Sequence, residues 1–98
     1  MVMKIEPKDD IQQLAISDEI ETLNENINIV ANLLKSVGIP FLAAKNAEEL
    51  LSMFIKIREL FKNENERIEK KMAIIQKLPL LYLQISLIKE QIKSGLSA

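Results

Sequence analysis

The chain has 98 residues, 13 of them Lys or Arg and 14 Asp or Glu, and so lacks the strongly basic footprint of a dedicated nucleic-acid domain. It contains no Cys and no His, which removes disulfides, thiolate nucleophiles, cysteine or imidazole metal sites, the Ser-His pair and the ordinary switch near neutral pH. With 48% apolar and 28% charged residues it has the composition of a packed soluble protein rather than a disordered tail.

The expectation is one all-α domain over residues 1–98, with 1–8 as a flexible N-terminal segment. Met1 to Pro7 carries no long apolar run ahead of a small-residue cleavage site, so no secretory signal and a cytoplasmic location are expected. The longest nearly uncharged stretch, Met72 to Ile88, is interrupted by Gln76, Lys77 and Pro79. It falls short of the roughly 20 apolar residues that a membrane-spanning helix needs.

Taken in order along the chain, the first element is the clearest. Ile16, Ile20, Leu23, Ile27, Val30, Leu34 and Val37 alternate steps of four and three, an unbroken heptad seam. This predicts a helix over about 9–37. Ser17 with Asp18 and Glu19 could cap it; a longer helix would place Pro7, Asp9 and Asp10 at its positive end. Gly38 suits the left-handed stop, Ile39 can fold back on Leu34, and Pro40 forbids continuation.

Asn46, followed by Glu49 three residues on, reads as an N-cap ahead of a second helix over about 46–77. Its seam runs through Ala47, Leu50, Phe54, Ile57, Phe61, Ile68, Ile75 and Leu78, but the same register puts Glu64 and Lys71 at apolar positions. A shift of the contacting face near Arg67 to Met72 is expected in preference to a buried ammonium ion, and a break at Asn63 to Asn65 is an open alternative. Pro79 is expected to open a third helix over about 79–94 rather than kink a long one, with Gly95 as its stop. Leu78 to Ile88 is apolar around nearly its whole circumference, so this helix needs cover on every side. Leu81, Leu83, Ile85 and Leu87 also alternate as in a strand, which would need Met1 to Ile5 as a mate.

The predicted architecture is therefore a long antiparallel helical hairpin plus a shorter third helix, a coiled-coil-like bundle completed by oligomerisation, a homodimer being favoured. Leu81, Ile85, Ile88 and Ile92 form the stripe expected to carry self-association or a partner protein. The reading of function is a non-enzymatic interaction module, an adaptor, scaffold or assembly subunit, without cofactor or metal.

The alternative is a small dimeric nucleic-acid-binding regulator. Residues 1–50 hold nine acidic and four basic side chains and residues 51–98 five and nine, so Lys56, Arg58, Lys62, Arg67, Lys70 and Lys77 could line a phosphate-binding face. Glu59, Glu64, Glu66 and Glu69 interleave with these bases, the pattern of a solvated helix, and charge complementarity between two helices explains the asymmetry equally. A helix-turn-helix over Leu33 to Leu51 is disfavoured by Glu48 and Glu49 where base-reading side chains belong. Asn24, Asn28 and Asn32 read as a polar helix face. Tyr82 reads as packing, and Glu64 would be an acid or base only if buried.

Overall fold

The computed structural model describes residues 7–97 and contains three helices, α1 (Pro7–Leu34), α2 (Phe41–Lys62) and α3 (Ile68–Ser97), each packed on the other two. No strand occurs among the described residues. The expectations for Met1 to Ile5 and for a flexible start fall on residues 1–6, outside them, and partly on residues 7 and 8, which open α1.

The heptad seam of α1 is the buried face that the sequence spacing requires. Ile16, Leu23, Ile27 and Val30 are buried and Ile20 and Leu34 pack beside them. Ser17 lies inside the helix rather than capping it, because α1 opens at Pro7, whose missing N–H costs nothing in a first turn. The helix ends three residues before Val37, which is 95% exposed. Its last carbonyls are taken by tight turns, the Lys35 N–H to Asn32 and the Ser36 N–H to Leu33, both at 3.1 Å. Gly38 then takes the left-handed backbone at φ 74°, where a side chain would be strained.

α2 starts five residues earlier than the Asn46 cap implied. Pro40 is extended at φ −60°, ψ 145°, and its carbonyl accepts the Ala44 N–H at 2.9 Å, so winding begins directly after it. Nothing from Phe41 to Lys45 opposes a helix, and Ala43 and Ala47 are fully buried where small side chains let a neighbour approach. The long second helix does not exist. It breaks after Lys62, where Asn63 leaves helical geometry, its side-chain oxygen accepting the Asn65 N–H at 3.0 Å and its carbonyl the Glu66 N–H at 3.2 Å. An Asn that satisfies local backbone groups competes with the helix, and here it wins.

Winding resumes at Ile68 and continues without interruption through Pro79. Proline was expected to begin an element and instead sits inside one. Its ring removes the bond to the Ile75 carbonyl, about 3 kcal/mol in an isolated helix. Burial of Leu78, Ile85, Ile88 and Ile92 on both sides of it holds one helical phase across the gap. Residues 81–87 are accordingly helical and not a strand. Nor does Gly95 stop α3. Pro40 crosses it so closely that a Cβ there would overlap the Pro40 Cγ.

One core cluster draws on all three helices, with Phe54, Leu23, Leu78 and Val30 its largest fully enclosed side chains. Each pair of helices also shares one polar bond. Arg58 Nη1 of α2 donates to Asn24 Oδ1 of α1 at 3.0 Å, Tyr82 Oη of α3 to Glu19 Oε2 of α1 at 3.2 Å, and Asn46 Nδ2 of α2 to Gln91 Oε1 of α3 at 3.3 Å. Apolar seams tolerate sliding; these bonds do not, and they select one register. Contacts advance along α2 as they retreat along α3: Pro40 meets Gly95, Asn46 meets Gln91, and the Phe54 and Tyr82 rings lie 5.6 Å apart.

Candidate functional site

Of the four residues expected to carry association, Ile85, Ile88 and Ile92 are buried in the core of their own chain and Leu81 is half-buried against it. The face that α3 leaves open is the opposite one. Leu80, Leu83 and Leu87, spaced at steps of three and four, are 65%, 60% and 56% exposed. Beside them a groove of about 350 Å³ runs between α2 and α3 past Leu50, Met53, Leu81 and Leu87. Next to it lies a recess of about 520 Å³ bounded by Pro40, Leu42, Leu87 and Gly95. Leu42 and Met53 are themselves exposed, so apolar surface is continuous from α3 onto α2.

Three leucines stand more than half exposed beside an open groove in the single chain, and a contiguous apolar patch of this kind marks an interaction surface. The signal was present in the sequence as the second half of the all-round apolar segment. Only the position of the bundle reveals which half faces out.

Lys77, one turn before Leu80, and Glu90, one turn after Leu87, are exposed and have no hydrogen bond or ion pair among the described residues. The leucine face therefore ends in a free cation on one side and a free anion on the other.

The six basic residues do not form one face of one helix, because the break at Asn63 divides them. Lys56, Arg58 and Lys62 stand on α2, Arg67 in the turn, and Lys70 and Lys77 on α3. Arg58 is turned inward to Asn24 and lies 3.5 Å from Glu59; its Nε is buried without a hydrogen bond. Lys70 is paired with Glu66 at 3.3 Å. Glu64 is exposed in the turn. Asn24 serves Arg58, while Asn28 and Asn32 are exposed.

Lys71 is the larger surprise. The expected shift of the contact face did not remove it from the interior, for α3 begins only three residues before it and keeps it on the packed side, 7% exposed. Tyr82 is half-buried, and its burial first, then the negative Glu19 carboxylate that accepts its hydrogen bond, push the phenol well above its ordinary pKa.

By length and composition alone, Ile68–Gly95 would suffice to cross a membrane. The sequence expectation to the contrary rested on the interruption of Met72 to Ile88 by Gln76, Lys77 and Pro79. α3 contributes a buried stripe to the bundle, but only 22% of the apolar window is buried. No protein-family model, curated protein or solved structure shows a significant match to this chain.

Proposed function

We propose that this chain is an antiparallel three-helix bundle that works as a non-enzymatic, self-associating interaction module. A second copy covers the face formed by Leu80, Leu83 and Leu87. The observation that carries this reading is the exposure of three leucines spaced at steps of three and four on a helix whose other side is already packed.

Charge placement favours a second copy as the occupant. In a two-fold pair the same patch meets itself. An axis crossing α3 between Leu83 and Gln84, with the copies running in opposite directions, sets Leu80 against the second copy's Leu87. The same axis sets Lys77 against the second copy's Glu90. Both free charges are then paired, twice over, and the parallel arrangement is disfavoured because it opposes like charges.

Light scattering on a sizing column should give twice the 11.2 kDa of one chain. Leu83→Glu should run as a single chain with unchanged helical circular dichroism. Lys77→Glu and Glu90→Lys should each weaken the pair, and the double exchange should restore it. A wild-type chain that runs at the mass of one copy overturns the proposal. So does flotation of that chain with phosphatidylcholine vesicles that Leu83→Glu abolishes, which would give the face to lipid.

A further inference from the structure

A second opening lies at the break between α2 and α3, away from the leucine face. It is a half-open cleft of about 550 Å³ with apolar side chains from Ile16, Ile20, Phe61 and Ile68 and charges of both signs in its lining, Lys62 and Lys71 against Glu64 and Glu66. Lys71 is more than nine-tenths buried and makes no hydrogen bond or ion pair among the described residues. Among these residues the only side-chain nitrogen or oxygen that is sealed from solvent without a hydrogen bond is Arg58 Nε. Lys71 Nζ is therefore not sealed, and Lys71 lines this cleft.

The start of α3 adds to the same field. The N–H groups of Ile68, Glu69 and Lys70 precede the first intrahelical partner, and no side chain bonds them among the described residues. They form the positive end of the helix dipole. Of the two carboxylates that line the cleft, Glu66 is engaged by Lys70 at 3.3 Å and Glu64 is exposed in the turn. Lys71 places a cation in the lining of a cleft whose other walls include Ile16, Ile20, Phe61 and Ile68, the arrangement that an anionic head on an apolar body would complete.

We propose that this cleft binds a small amphipathic monoanion. A carboxylate head meets Lys71 and the first N–H groups of α3, and a hydrocarbon body lies against Ile16, Ile20, Phe61 and Ile68. Lys71 supplies a charge-assisted hydrogen bond, and the hollow supplies apolar contact that a bare anion cannot use. The site is separate from the leucine face, so either proposal can fail alone.

The test is an amide-resonance titration of the full chain with sodium octanoate, with octanol as the neutral probe and acetate as the head alone. Octanoate should move the Gln13, Ser17, Ile68 and Lys71 resonances saturably, with octanol weaker by about tenfold, the worth of one charge-assisted bond, and acetate without saturation. Lys71→Met should reduce octanoate to the octanol level, and Lys71→Arg should keep the preference. Ser17→Glu, at an exposed position on the cleft, should repel octanoate and spare octanol even where Lys71→Met does not fold. Equal binding of octanoate and octanol by the wild type overturns the proposal, as does an octanoate preference that survives both Ser17→Glu and loss of the Lys71 charge.

Discussion

α3 carries two apolar faces with opposite fates. Leu78, Ile85, Ile88 and Ile92 are enclosed by α1 and α2, while Leu80, Leu83 and Leu87, on the same helix and of the same chemical kind, stand mostly in solvent. Side-chain hydrophobicity does not separate them. What separates them is helical phase against a bundle that has only two other helices, and two neighbours can cover only part of a cylinder. One face is used for folding and the other is the one we propose meets a second copy, so substitutions on the two should be felt in different measurements.

The largest effects belong to the inner face. Ile85→Asp buries an unpaired carboxylate and should abolish the folded state, seen as loss of the cooperative thermal transition. Leu78→Ala should fold but lose about 2–5 kcal/mol in urea titration, because the cavity forms at a fully enclosed site. Retention of full stability by either variant would mean that the two faces have been assigned the wrong way round.

Gly95→Ala tests the end of the same helix. The new Cβ would meet Pro40, and about 1–3 kcal/mol should be lost by overpacking, read as a lower urea midpoint with unchanged slope. Tyr82→Phe removes the phenol that reaches Glu19 and should cost about 1 kcal/mol near neutral pH.

That substitution also has a pH signature. Burial and Glu19 keep the native phenol protonated above its usual range, so an unfolded chain loses this proton first, from about pH 10. The contribution is complete below that pH and falls as pH rises toward the higher native value. Wild type should thus lose stability more steeply than Tyr82→Phe in alkaline urea titrations. The smallest stability effect belongs to the outer face: Leu83→Ala should stay within about 0.5 kcal/mol by denaturation of the dissociated chain. Its consequence should be confined to solution mass.

Where the sequence expectations failed, they failed at punctuation. Pro79, Gly95 and Asn46 each read locally as an element boundary, and none is one. Pro79 is carried through by apolar contacts on either side of it, Gly95 is small because Pro40 lies against it, and Asn46 is spent on Gln91. These reasons involve residues 45 and 55 positions away or helices packed in space, which a reading of local propensity does not contain. Asn63 acts on its own neighbours, and the break it makes was visible in the sequence as an alternative. The candidate sites follow the same rule. The apolar excess of α3 and the awkward place of Lys71 in the heptad register were both legible, but the choice of outward face and the cleft beside Lys71 were not.

The sequence by itself determined the helical class, the seam from Ile16 to Leu34, the turn at Gly38 and the exclusion of cysteine and histidine chemistry. These depend on periodicity, backbone freedom and residue inventory, all local properties of the chain. Only the tertiary structure decided that the second helix ends at Lys62 and the third begins at Ile68, that Lys71 lies inside and that Leu80, Leu83 and Leu87 lie outside. Burial depends on where other segments come to rest, and a contact between distant residues can hold a helix through a proline or place a charge in a hollow against its local preference.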